Sequence, residues 1–95
     1  MTRTLLVTGA TSGFGRACAE LFAARGWRLV LTGRRGGRLA ELKRQLAPAE
    51  VYTASFDVRR RDKVEAMYAA LPDGFRDIDV LLNNAGLALG LAAAH

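Results

Sequence analysis

The chain has 95 residues, 51% of them hydrophobic and 24% charged, with a formal net charge of +5. That length allows one folding unit and no separate substrate domain, so residues 1–95 are read as a single domain. The composition excludes disorder, and the single cysteine, Cys18, excludes an internal disulfide and fits a reducing compartment.

In chain order, Thr4 to Thr8 (TLLVT) reads as a buried strand, short, apolar and closed by Gly9. From Gly13 the period lengthens: Phe14, Ala17, Cys18, Leu21 and Phe22 recur at helical spacing as far as Gly26, a plausible stop. Trp27 is expected to cover the core below a second strand, Arg28 to Thr32. Leu39, Leu42 and Leu46 mark a second helix that ends before Pro48. Val51 to Phe56 is a third strand of weaker pattern, and Val64, Met67, Tyr68 and Leu71 give a third helical face stopped by Pro72-Asp73-Gly74. A fourth strand, Ile78 to Leu82, runs into Asn83-Asn84-Ala85-Gly86, and Leu87 to His95 reads as a loop entering a helix.

Strands alternating with helices in this way predict an α/β fold with a Rossmann-like, doubly wound parallel sheet. The expected strand order is 3-2-1-4 with the later strands missing, which leaves the fourth strand as an exposed edge. Ligands of such sheets bind where the strand order reverses, at the carboxyl ends of strands 1 and 4. The two unusual loops, Gly9 to Gly15 and Asn83 to Gly86, both fall there.

Gly9, Gly13 and Gly15 are spaced G-x-x-x-G-x-G between a strand and a helix. A loop of this kind offers backbone N–H groups at a helix N-terminus to a pyrophosphate and lets the chain approach it closely. A nicotinamide-binding sheet that takes NAD places an acid about 20 residues beyond its glycines, for the ribose 2′-hydroxyl. Here Gly33-Arg34-Arg35 stands at the end of the second strand. Guanidinium groups pair with a 2′-phosphate, so the cofactor expected is NADP(H). Asp57, followed by Val58, sits on the same sheet edge, where it accepts from an adenine amino group or caps the helix that follows.

The positive charge by itself raises a nucleic-acid-binding reading. The cations are scattered as well as locally grouped, and Glu41, Asp57, Asp62 and Glu65 dilute the groups, so no nucleic acid is expected. Met1 to Val7 holds too short an apolar run for a signal peptide, and no later stretch has the length of a membrane span. The expected location is the cytoplasm, without membrane contact.

Thr8 to Gly15 (TGATSGFG) and Asn83 to Gly86 (NNAG), with Asp57 between them, resemble the N-terminal part of the short-chain dehydrogenase/reductase family. Within it, Thr32 to Arg35 and Asn83 to Gly90 are most similar to the NADP-dependent subgroup acting on 3-hydroxy acids such as serine and allo-threonine. The resemblance implies an oxidoreductase that moves hydride between nicotinamide and a small alcohol or ketone. It implies that Thr8, Gly9, Ala10, Thr11, Ser12, Gly13, Phe14 and Gly15 surround the pyrophosphate, Thr8 also tying that loop to the Asn-Asn-Ala-Gly turn. Arg34 and Arg35 would hold the 2′-phosphate, and Asp57 and Val58 would flank the adenine. Asn83, Asn84, Ala85 and Gly86 would support the sheet and the ribose.

The family's catalytic Ser and Tyr-x-x-x-Lys lie downstream of this part. The tyrosines here, Tyr52 and Tyr68, are followed four residues on by Phe56 and Pro72, so no catalytic residue is assigned and the chain alone is expected to be inactive. The resemblance also implies homotetramers for the full-length protein. Two other readings are a non-catalytic NADP-binding fragment and a nucleic-acid-binding Rossmann domain.

Overall fold

The computed structural model describes residues 2–84; Ala85, Gly86 and the tail to His95 lie outside the described residues. The elements are β1 (Thr4–Thr8), α1 (Gly13–Ala24), β2 (Arg28–Gly33), α2 (Gly36–Leu46), β3 (Val51–Ser55), α3 (Arg61–Ala70), a 3-10 turn (Asp73–Phe75) and β4 (Val80–Asn83). The strands form one sheet in the order β3-β2-β1-β4, with every neighbouring pair parallel, as expected for a Rossmann-like α/β fold.

All five residues of β1 are buried, because helices cover both faces of the sheet. Leu5 and Val7 join Leu29 and Leu31 beneath Ala19 of α1 and Leu39, Leu42 and Leu46 of α2. The intervening Leu6 and Val30 face the other way, against Met67 of α3 and Leu71. Trp27 packs against the first layer, with the Phe22 ring edge-on at 4.8 Å. At the amino-terminal edge, the Arg28 guanidinium donates to Glu50 at 2.7 Å and to the Gly74 carbonyl, and lies over the Phe75 ring.

Helix α1 departs from the apolar face expected for it. The residues it turns to the sheet are Gly15 and Ala19, with Phe22 and Ala23 packed beside them and Cys18 half-buried. Phe14 and Leu21 are 66% and 50% exposed. Two stripes at helical spacing compete in this segment, and the one with small residues wins because only it lets the helix axis approach the first loop. Strand β4 begins at Val80 rather than Ile78, since Asp79 instead joins the start of β1: Thr4 N donates to its carboxylate at 2.8 Å, and Asp79 N to the Thr4 carbonyl at 2.9 Å. Among the described residues β4 pairs with β1 alone, and Val80 is 41% exposed on that edge.

Burial therefore separates two leucines of similar chemistry. Leu6→Ala removes a fully buried side chain and is expected to cost about 2–5 kcal/mol, whereas Leu21→Ala is expected to stay within about 0.5 kcal/mol. Denaturant titration of both variants checks the assignment of the two helix stripes; equal losses would contradict it.

Candidate cofactor-binding site

The parallel registers bring the carboxyl ends of three strands level: Thr8 lies opposite Thr32 on one side and Asn83 on the other. The chain then leaves β1 at Gly9, whose φ of 65° belongs to the left-handed region that glycine enters without steric cost. Ala10 N donates to the Thr32 carbonyl at 3.0 Å, which fastens the loop to β2. Thr8 Oγ1 donates to Asn83 Oδ1 at 3.0 Å, and Asn84 Nδ2 donates to the Gly9 carbonyl at 3.0 Å. The threonine expected to tie the two loops is thus bonded to the second of them, and Asn84 adds a second tie.

Gly15 packs under this junction. A Cβ there would lie 2.6 Å from the Gly9 oxygen and 2.7 Å from Asn84 Nδ2, so the close approach requires glycine. Ser12 stands at the N-cap of α1 in extended conformation without a side-chain capping bond; its hydroxyl turns back to the Gly9 carbonyl at 3.4 Å. No acidic residue occupies the first turn, so the positive end of the helix dipole is left to the cavity in front of it.

That cavity, about 280 Å³, lies across the carboxyl ends of β1, β2 and β3. Gly9, Thr11 and Ser12 wall it from the first loop, Gly33, Arg34, Arg35 and Arg38 from the β2–α2 junction, and Phe56 and Val58 from beyond β3. The structure brings the glycine loop and both expected arginines together here. Arg38 and Phe56 complete the wall without having been singled out as site residues. The signal for Arg38 was its spacing, three residues after Arg35 and so one helical turn along the same face. Phe14 and Ala10 do not line the cavity: Phe14 points outward and Ala10 is buried under the loop.

Asp57 is half-buried beside the cavity, and its carboxylate is already engaged. Arg59 N and Nε donate to Oδ1 at 3.0 and 3.1 Å, and Arg59 Nη2 donates to Oδ2 at 2.8 Å. These bonds, with a weaker contribution from the Arg34 charge, hold the Asp57 carboxyl well below the ordinary carboxylate range and push the Arg59 guanidinium up. Asp57 does not cap α3. The N-cap there is Arg60, because the side chain of Asp57 closes a local turn two residues on instead.

A larger cleft, about 630 Å³, opens at the opposite edge of the sheet around Trp27, Leu46 and Pro48 and contains none of the motif residues. Tyr68 Oη donates to the Arg76 carbonyl at 3.1 Å, and Tyr52 packs on the Phe75 ring, so both tyrosines are occupied as packing residues. Among the described residues no group of His, Cys, Asp or Glu is arranged to hold a metal, and no helix is long and apolar enough to cross a membrane.

A glycine loop facing an arginine cluster at the carboxyl ends of a 3-2-1-4 parallel sheet defines a Rossmann-like domain of the nucleotide-binding class. The sequence matches the short chain dehydrogenase family over residues 3–95, and the chain belongs to that family of oxidoreductases. It is 54% identical over 94 residues to serine 3-dehydrogenase of Agrobacterium fabrum, covering 99% of this chain and 37% of the relative. It is 56% identical over 96 residues to sulfoacetaldehyde reductase of Chromohalobacter salexigens, covering 100% of this chain and 38% of that one. Among solved structures, a closed form of serine dehydrogenase complexed with NADP+ superposes with a TM-score of 0.83 at 49% identity, covering 90% of this chain and 34% of the other. The chain thus spans little more than a third of the length of the curated relatives it matches.

Two stability experiments follow from this geometry. Gly15→Ala is expected to cost about 1–3 kcal/mol from overpacking, while Gly37→Ala, in open space inside α2, should gain about 0.5–1 kcal/mol from helix propensity. Chemical denaturation of the pair reads both signs.

The Asp57 pair sets a pH response. A folded carboxyl below its unfolded value near 3.8 contributes stability that is present above that value and is lost as pH falls beneath it. Carboxyl carbon shifts followed by NMR should show Asp57 still ionised at a pH where free carboxylates are protonated. Titration in the ordinary range would refute the pairing.

Proposed function

We propose that this chain is the cofactor-binding part of an NADP(H)-dependent oxidoreductase that transfers hydride between nicotinamide and a small alcohol or ketone, of the 3-hydroxy acid type such as serine. The observation that carries the reading is the cavity shared by Gly9, Thr11, Ser12, Arg34 and Arg35. Its chemistry suits a phosphorylated dinucleotide: backbone and hydroxyl donors on one wall, guanidinium groups without a salt-bridge partner on the other. No carboxylate stands at the end of β2 to receive a 2′-hydroxyl or to repel a 2′-phosphate.

Within this reading Thr8 to Gly15 holds the pyrophosphate, with Ala10 and Phe14 shaping the loop from behind. Arg34 and Arg35 pair with the 2′-phosphate. Phe56 and Val58 supply apolar contact for an adenine ring, and Asp57 offers its amino group a carboxylate that Arg59 keeps ionised. Asn83 and Asn84 keep the first loop in place beneath the ribose; Ala85 and Gly86, assigned to the same turn by the resemblance, lie outside the described residues. When bound, the cofactor supplies the hydride; these residues fix its depth and orientation at the sheet edge.

The substrate class is drawn from the relatives' names, and two of them name different substrates at nearly equal identity. The shared chemistry is a small carbon chain bearing a hydroxyl or aldehyde and an acidic group. A relative of known structure carries NADP+, which supports the choice of cofactor.

Fluorescence titration of the purified protein tests the reading. NADPH is expected to bind at least about tenfold more tightly than NADH, since one charge-assisted contact to the extra phosphate is worth that much. The double variant Arg34→Ala, Arg35→Ala should lose most of the difference. Equal affinities in the unaltered protein, or tighter NADH, would overturn the cofactor assignment. A complex with generic RNA that survives moderate salt would point instead to a polyanion-binding domain.

A further inference from the structure

The arginines of this protein divide by partner. Arg16, Arg28, Arg44, Arg59, Arg60 and Arg76 each hold a carboxylate. Arg3, Arg25, Arg34, Arg35, Arg38 and Arg61 form no salt bridge among the described residues, and of these Arg34, Arg35 and Arg38 share one cavity with Thr11 and Ser12. Arg35 is the N-cap of α2 and Arg38 lies three residues on, in a first turn without an acidic residue. Cations at that end oppose the helix dipole, and like charges three apart on a helix repel. Glu41, the acid nearest along the helix, is taken by Arg44. The arrangement costs the unliganded protein stability, and a dianion entering the cavity relieves that cost.

We propose that Arg38 is a specificity-determining residue of this site, gripping the 2′-phosphate of the dinucleotide from the side of the glycine loop. The proposal rests on the NADP(H) reading above and adds a residue to it. The positions of the arginines argue for a division of labour. Arg34 leaves the end of β2 toward Asp57, close enough for the two charges to interact, which is the adenine side of the cavity. Arg38 borders a second, smaller cavity of about 120 Å³ between α1 and α2, lined also by Thr11, Arg16, Gln45 and Glu41, whose carboxylate is held by Arg44; this is the loop side.

Arg38 is also the only one of the three inside a helix. Its neighbour Leu39 is 1% exposed and Leu42 is buried one turn on, so the backbone that carries the guanidinium is fixed by the core. Arg34 sits in a bend after β2 and Arg35 at the N-cap in extended conformation, both outside the helix. A guanidinium on a fixed backbone surrenders less freedom when it grips a phosphate, and its planar fork offers two donors to one anion.

The test compares Arg38→Gln, Arg38→Lys and, as a surface control, Arg61→Gln, with NADPH and NADH titrated against each purified protein and thermal melting followed at low salt. Arg38→Gln should weaken NADPH about tenfold and change NADH less than about twofold, with an unliganded melting temperature equal to or above the parent's. Arg38→Lys keeps the charge without the fork and should fall between the two. Arg61→Gln should leave the NADPH-to-NADH ratio unchanged. If the parent prefers NADPH and Arg38→Gln keeps the full preference, or weakens both dinucleotides equally, the role given to Arg38 is wrong while the cofactor reading stands. If the parent shows no preference, the cofactor reading fails and the role of Arg38 fails with it.

Discussion

Thr8 faces Thr32 across one ladder and Asn83 across the other, and everything at the site is referred to that level. In a parallel sheet the pairing register decides which carboxyl ends stand side by side. Here it puts Gly9 and Asn84, one residue beyond β1 and β4, level with Gly33, the last residue of β2. Slipping β1 by one residue would turn Leu5 and Val7 to the face of α3 and Leu6 to that of α1 and α2. The buried strand therefore fixes the site as firmly as it fixes the core. Ala10 N on the Thr32 carbonyl and Asn84 Nδ2 on the Gly9 carbonyl then lock the first loop to both neighbours.

The same junction explains the design of α1. A loop carbonyl bonded to Asn84 has no room for a Cβ on the helix beneath it, so Gly15 is obligatory and Ala19 continues the small stripe. Large apolar residues are displaced to the next stripe, where Phe14 and Leu21 stand exposed with Val80 on the β4 edge. A domain this small buries only about 60–65% of its unfolded surface, and these side chains contribute only part of theirs to that burial. Its stability rests on the two leucine and valine layers either side of β1.

Much of this was legible in the sequence because strand burial and helix period leave separate signatures. TLLVT and RLVLT read as strands buried on both faces, and that is how β1 and β2 sit. The strand order and the meeting of Gly9 to Gly15 with Arg34 and Arg35 followed from the alternation of elements. The buried face of α1 was not legible, since hydrophobicity alone favours Phe14 and Leu21 over Gly15 and Ala19. What decides it is the distance between helix and loop, which only the fold defines. The same holds for Asp57: an acid ahead of a helix satisfies the capping pattern, yet Arg59 two residues on offers a stronger partner, and α3 starts with Arg60 at its cap.

The net charge of +5 finds its explanation in how the cations are distributed. Six arginines are answered locally by carboxylates, most of them at exposed positions where such pairs contribute little to stability. The excess that matters chemically is at one place, where β2 gives way to α2 and three guanidinium groups share a cavity with two hydroxyls. A surface built for a polyanion would spread unanswered cations along the spacing of its phosphates. A concave cluster against a glycine loop concentrates its field on one anionic group, and that concentration is the physical basis of the cofactor preference proposed above.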